Sequence, residues 1–506
     1  MKVGRRSLAT MLLTLLMVVG AGAAQSDLRL VEAARNRDQL TVRALLEARA
    51  DVDARSPDGT TALHWAAHWN DLDTADLLIR AGANVNTTND FRITPLSMAC
   101  TNANAALVER LLKAGASPHT AIATGETPIM TCASTGSVDS VRMLIAAGAD
   151  VNAKEPLQNQ TALMWAAAEH RTDVVRLLID YGADLQARTR KGFSALHFAA
   201  REGAIDIARL LLAAGVDVNL RSRPEPIDKG TVRGRGPSYD ASISAGSTPL
   251  LVATVRAQVP LALVLLEHGA DPNVDDAGFT PLHWAAGTWE SGEANPVFGF
   301  SDAMSGIPDR QAKLQLVKAL LARGANPNAR MTQRPPGFAG GYTDAAGATP
   351  FLLATATADL EVMRLLLAVG ADPLATTKSN ATALMAATGM NRTLGESAVT
   401  EEQALEVVRL LLELGVDAKA LASNGENALF GAAYRGWNTL VQVLVDNGAD
   451  VNTVSKAGIT PWLAASGLGD RLGGVLFNTD TAVLLVKLGA DPKLGKPCQA
   501  QTKCRG

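Results

Sequence analysis

The sequence predicts an all-α solenoid of about twelve helix-turn-helix units with hairpin-like loops, and three observations carry that prediction. A tetrapeptide with Thr, Ser or Asn first and mostly Pro or Ala second begins at Thr61, Thr94, Thr127, Thr161, Ser194, Thr248, Thr280, Thr349, Thr382, Asn427 and Thr460, in steps of 33, 33, 34, 33, 54, 32, 69, 33, 45 and 33 residues. Each copy is followed by an alanine-rich segment and then a leucine-rich pair. Each unit ends on a turn such as Gly82-Ala83-Asn84-Val85-Asn86 or Gly148-Ala149-Asp150-Val151-Asn152. A length of 506 residues would otherwise suggest three to four separate domains, but this one unit accounts for nearly all of it.

Composition agrees. Hydrophobic residues make up 47% and the formal net charge is −3, so the chain can bury a core and lacks the charge excess of a disordered one. Aromatics contribute only 4%, which leaves Ala, Leu and Val as the main apolar types and points to helices packed through small residues. The balanced charge argues against nucleic acid as a partner, because phosphate neutralisation needs clustered Lys and Arg.

Residues 1–24 read as a signal peptide: Lys2, Arg5 and Arg6 precede the uncharged stretch Leu8 to Val19, and small residues from Gly20 to Ala24 suit cleavage before Gln25. The apolar run is too short to span ~30 Å of hydrocarbon comfortably. An exported protein, periplasmic or secreted, with no stable membrane anchor after cleavage is therefore expected, Sec and twin-arginine export both remaining open. Residues 25–220 hold repeats 1 to 6. The first, Leu28 to Ala50, is degenerate, and its Arg29, Glu32, Arg35, Arg37 and Asp38 supply the polar outer face of a cap. In each full repeat the first hydroxyl caps the inner helix, and Pro95, Pro128, Pro249, Pro281, Pro350 and Pro461 stand where a helix tolerates a missing donor. Ala66-Ala67 and Ala199-Ala200 allow close approach of neighbouring helices, while Leu77-Leu78 and Leu177-Leu178 give the outer helix its core face. Glycines such as Gly82 and Gly148 end that helix in the left-handed conformation, and the Asx residues after them favour a turn. Residues 221–246 form a loop insertion, 247–492 carry repeats 7 to 12 with insertions near 288–312, 331–347, 390–402 and 467–480, and 493–506 form a polar tail.

Thr280-Pro281-Leu282-His283, Thr61-Ala62-Leu63-His64 and Ser194-Ala195-Leu196-His197 are the fullest copies of the motif. With the period near 33, the pattern resembles the ankyrin repeat. The resemblance implies that His64, His197 and His283 make local hydrogen bonds that brace the loop.

No catalytic constellation emerges. His68, His119, His170 and His268 are isolated, and no HExxH, CxxC or nucleophile-base spacing occurs, so neither an enzyme, a metal nor another cofactor is expected. Cys100 and Cys132 fall in the alanine-pair region of adjacent repeats and read as small buried core residues; a disulfide is the less favoured reading, since stacked helix axes lie ~8 to 10 Å apart. Cys498 and Cys504, in the tail, are expected to pair in an oxidising compartment.

One pattern rises above scaffold. The position after the fourth motif residue is expected on the concave face of the stack, and along the chain it reads Trp65, Met98, Thr131, Trp165, Phe198, Val252, Trp284, Leu353, Ala386, Gly431 and Ala464. With Trp69 and the insert residue Trp289, the large members Trp65, Met98, Trp165, Phe198, Trp284 and Leu353 form a candidate partner-binding stripe, an exposed aromatic surface of that extent being a mark of recognition; the competing reading is that they pack between repeats. The expected function is a non-enzymatic scaffold that holds a protein or extended peptide on the inner-helix face and inserted loops. A small-ligand or glycan-binding protein, stacking Trp165, Trp284 and Trp289 on sugar rings, is the alternative.

Overall fold

The computed structural model describes residues 27–223, 245–287, 307, 309–333, 346–389, 399–467 and 477–496. Residues 1–24, Trp289, Cys498 and Cys504 lie outside them. The described residues form 24 helices and no strand, in twelve antiparallel pairs. The chain divides into two compact units, Met1–Asp184 and Leu185–Gly506. The division falls in a Gly-Asx turn rather than at the 221–246 insertion.

In the first unit the inner helices are α1 (Arg29–Arg35), α3 (Ala62–His68), α5 (Pro95–Thr101), α7 (Pro128–Thr135) and α9 (Ala162–Ala168). They alternate with the outer helices α2 (Gln39–Glu47), α4 (Leu72–Arg80), α6 (Ala105–Lys113), α8 (Val138–Ala146) and α10 (Thr172–Asp180). The second unit continues the alternation with α11 (Ala195–Glu202), α12 (Ile205–Ala213), α13 (Pro249–Val255), α14 (Val259–Glu267), α15 (Pro281–Ala286), α16 (Arg310–Ala322) and α17 (Pro350–Ala356). It ends with α18 (Leu360–Ala368), α19 (Ala383–Ala387), α20 (Glu401–Glu413), α21 (Ala428–Arg435), α22 (Asn438–Asp446), α23 (Pro461–Ala465) and α24 (Thr479–Lys487). Within each unit every inner helix packs on its own outer helix and on the next inner helix.

Helices this short do not persist alone. They persist here because their apolar sides are wholly covered: Ala66, Ala67, Leu78, Ala99, Leu107 and Leu111 are at most 1% exposed. From α3 onward each inner helix starts at the motif's Thr, Ser or Asn. Thr61 Oγ1 accepts from the His64 amide at 3.5 Å and the Thr61 amide donates to His64 Nδ1 at 3.2 Å, so one side chain at each end satisfies an otherwise orphan donor.

Asparagines bind the repeats together on the hairpin side. Asn86 donates to the Gly115 carbonyl at 3.0 Å and accepts from the Ser117 amide at 2.7 Å. Asn152 does the same with Gly182 and Asp184, Asn219 with Gly269 and Asp271, Asn273 with Gly324 and Asn326, Asn328 with Gly370 and Asp372, and Asn452 with Gly489 and Asp491. The amide carries both a donor and an acceptor at one tip, which lets a single side chain join two backbone groups of the next repeat.

Two insertions, 221–246 and 331–347, leave this register intact because their necks are closed. Ser222 donates to the Ser247 carbonyl at 2.9 Å and Gly246 back to Ser222 at 2.6 Å; Met331 and Ala348 pair at 3.0 Å, with Gly347 donating to Met331 at 2.7 Å. Two helices begin inside expected insertions. Asp309 caps α16 through the Gln311 and Ala312 amides, and Thr400 with Gln403 forms a capping box on α20, so the intervening segments are shorter than 288–312 and 390–402 suggested. The last insertion likewise ends before Asn478, which caps α21, the inner helix of the preceding repeat, by donating to the Ala433 and Tyr434 carbonyls at 3.3 and 2.8 Å.

The reading of Cys100 and Cys132 as unlinked core residues is overturned. They form a disulfide between α5 and α7, with Cα atoms 4.6 Å apart. Axis separation misleads here: each Cα stands ~2.3 Å off its helix axis, so facing residues on axes ~9 Å apart approach to ~4 to 5 Å. No free cysteine occurs among the described residues.

Candidate functional site: an aromatic face on the inner helices of the first unit

Trp65, His68 and Trp69 stand at i, i+3 and i+4 at the end of α3, a spacing that places side chains side by side on one helix face. The two indoles stack with centroids 6.4 Å apart, and the His68 ring meets Trp65 edge-on at 5.6 Å and Trp69 at 4.5 Å. The Arg35 guanidinium, from the end of α1, lies 5.3 Å from the Trp65 ring centroid. Trp69 is tied in turn: its Nε1 donates to the Arg35 carbonyl at 3.0 Å. Asn102 donates to the carbonyls of Ala67 and His68 at 3.1 and 3.0 Å, which fixes the end of α3 under the rings.

The cluster is held yet accessible. Trp69 is 41% exposed, Arg35 and His68 are exposed, and Trp65 and the neighbouring Met98 are half-buried. A cation over one indole and a second indole open to solvent can accept an apolar or aromatic side chain on the ring faces and an acceptor group at the guanidinium. Trp165, on α9, is half-buried, and its indole nitrogen is buried without a hydrogen-bond acceptor.

The stripe does not continue as an open surface in the second unit. Phe198 is 6% exposed, with the Arg201 guanidinium 4.9 Å above its ring. Trp284 and Leu353 are 1% and 2% exposed and share one cluster with Leu251, Val255, Phe279, Met331 and Ala348. Phe279 lies 6.1 Å from Trp284. The expectation that Phe198, Trp284 and Leu353 face a partner is therefore corrected to packing: Trp284 and Leu353 lie in one cluster with Met331 and Ala348, which flank the 334–345 segment in sequence, and Phe198 is buried on α11 with Arg201 over its ring. Sequence spacing alone carries no sign of that cover.

The histidines implied to be braces are braces. His64 Nε2 reaches the Ile93 carbonyl at 2.9 Å, His197 the Ser247 carbonyl at 3.1 Å and His283 the Ala329 carbonyl at 2.9 Å. Because the motif amide donates to Nδ1, the proton sits on Nε2 and the ring is neutral. Burial pushes the pKa of His197 and of His283 down to about 4 and lowers that of His64. No group of three or more His, Cys, Asp or Glu side chains among the described residues could hold a metal ion, and none of the described helices is long and apolar enough to cross a membrane.

Stacked helix pairs with capped inner helices, asparagine-linked turns and an aromatic inner-helix face define a repeat solenoid. Models of three tandem ankyrin repeats match residues 11–89, 70–155, 153–222 and 396–495, and the single ankyrin-repeat model matches 245–277, 277–332 and 346–378. The chain belongs to the ankyrin-repeat family, whose repeats serve generally as protein-interaction modules. Among solved structures, that of the human ASB11 ankyrin repeat domain is similar, with 24% identity and a TM-score of 0.39, covering 48% of this chain and 98% of that one. No curated protein matches the chain.

Proposed function

We propose that the protein is a non-enzymatic binding scaffold of an exported compartment that anchors a protein or extended peptide on the α1–α3–α5 face. The observation that carries this reading is the stacked Trp65–Trp69 pair, solvent-accessible and carrying the Arg35 cation. Buried, centrally placed Trp and Arg side chains dominate binding energy at protein interfaces, and here the Trp69 indole is pre-positioned by its hydrogen bond to the Arg35 carbonyl and the Arg35 guanidinium by its place over Trp65, which lowers the ordering cost of association. Two features support export: the signal-like residues 1–24, and the Cys100–Cys132 disulfide, a bond that persists in oxidising compartments. The glycan alternative loses one of its stacking platforms, since Trp284 is buried.

The test is cross-linking with mass spectrometry of the native extracytoplasmic fraction, comparing wild type with Trp65→Ala and Trp69→Ala. Loss of one cross-linked protein partner in both variants, with Leu40→Ala unaffected, is expected. Retention of every partner in both variants would remove the aromatic face from the proposal.

A further inference from the structure

The α23–α24 pair of the second unit carries an apolar surface that no described repeat covers. Trp462 on α23, Ala482, Val483 and Val486 on α24, and Phe477 and Pro492 on either side of α24 line an open cavity of about 510 Å³. Phe477 is 66% exposed, Val483 49% and Val486 44%. A contiguous set of exposed apolar side chains of this kind marks an interaction surface.

We propose that a second copy of this chain covers it, in a two-fold symmetric dimer in which the α24 helices pack antiparallel. Charge placement selects this occupant. On the exposed side of α24, Asp480 lies one turn before Val483 and Lys487 one turn after it. A two-fold axis between Val483 and Leu484 brings Asp480 of each copy beside Lys487 of the other, twice, with Val483 and Val486 between them. An isologous contact requires such self-complementarity; an unrelated partner would have no reason to meet an opposite charge at each end of the same stripe. The pairing covers the exposed apolar side chains of both copies.

The full-length mature chain tests this by sedimentation velocity over a concentration series. Wild type should pass from monomer to dimer in the ~1 to 100 µM range expected of a modest interface. Asp480→Lys and Lys487→Glu place like charges at both ends, and each should weaken dimerisation ~10-fold or more. An equimolar mixture of the two variants restores both opposite-charge contacts, so it should dimerise as wild type does. Far-UV circular dichroism melting of each variant guards against misfolding, and recovery in the mixture is a result that a folding defect cannot produce. A wild-type chain that stays monomeric throughout means that the face is covered by this chain's own segments or by another protein, and overturns the proposal. So does a dimer indifferent to both charge reversals, or a mixture that fails to recover.

Discussion

His197 and His283 show how much a single side chain can be asked to do. Each ring is buried, neutral and bonded at both nitrogens, one bond closing its own helix cap and the other reaching the loop of the following repeat. Protonation must break the bond at Nδ1 and bury a charge. Since the folded pKa of about 4 lies below the unfolded value near 6.5, the unfolded chain binds more protons between those limits and stability falls as pH drops through them. Above pH 6.5 the contribution is complete; below 4 no more is lost. The loss is on the order of 3 kcal/mol per ring. Chemical denaturation from pH 7.5 to 4 should show this limb, and His283→Gln should flatten it; an acid limb unchanged in that variant would refute the assignment. The tryptophans divide just as sharply. Trp284→Ala should cost ~3 to 5 kcal/mol through the cavity left in its cluster, whereas Trp69→Ala, at an exposed site, should cost about 1 kcal/mol or less. Similar losses in the two variants would mean that the exposure contrast between them has no energetic meaning.

At the scale of the element, the links between repeats decide stability. Asn86→Ala removes two bonds to the next repeat and should cost ~1 to 2 kcal/mol, measurable as a shift in the urea midpoint without a change in slope. The Gly192 hairpin tip is a tighter case: its φ is +80° and an added Cβ would lie 2.1 Å from the Arg223 backbone nitrogen. Gly192→Ala should therefore destabilise by more than the ~1 kcal/mol of conformational strain alone, because backbone rather than a flexible side chain must move. The Cys100–Cys132 disulfide closes a loop of 32 residues in sequence separation, and on the chain-entropy account it contributes ~3 to 4 kcal/mol. Reduction, or Cys100→Ala with Cys132→Ala, should lower the melting temperature accordingly; an unchanged melting curve after verified reduction would contradict that account.

For the whole molecule, stability is a sum over neighbours rather than the property of one core. The division at Asp184 and Leu185 leads to the expectation that equilibrium unfolding of the full chain shows more than one transition. Calorimetry that returns a single two-state endotherm, with equal calorimetric and van't Hoff enthalpies, would contradict it. Removing the first pair, Leu28 to Ala50, uncovers the apolar side of α3 and takes Arg35 from beneath Trp65. Fraying from that end should follow, visible as hydrogen exchange that rises first in α3 and α4.

Period, motif and turn chemistry alone determined the architecture, because each repeat folds by the same local rules: a hydroxyl cap, a proline that needs no donor, paired alanines and a glycine that takes positive φ. The resemblance to the ankyrin repeat made the histidine braces legible, although only the Nδ1 bond lies at a fixed offset of three residues and the carbonyl at Nε2 lies 29 to 65 residues away. Tertiary structure decided what depends on the distance between chain segments that no spacing encodes. Cys100 and Cys132 bond because facing Cα atoms come far closer than helix axes do. The turn asparagines read as local turn formers, yet their amides span two repeats. The large members of the aromatic stripe looked equivalent in the sequence but are not. Trp65 and Trp69 stay open beside Arg35, while Trp284 disappears beneath Met331 and Ala348, because burial is set by the far side of an interface that lies 47 or more residues away in the sequence.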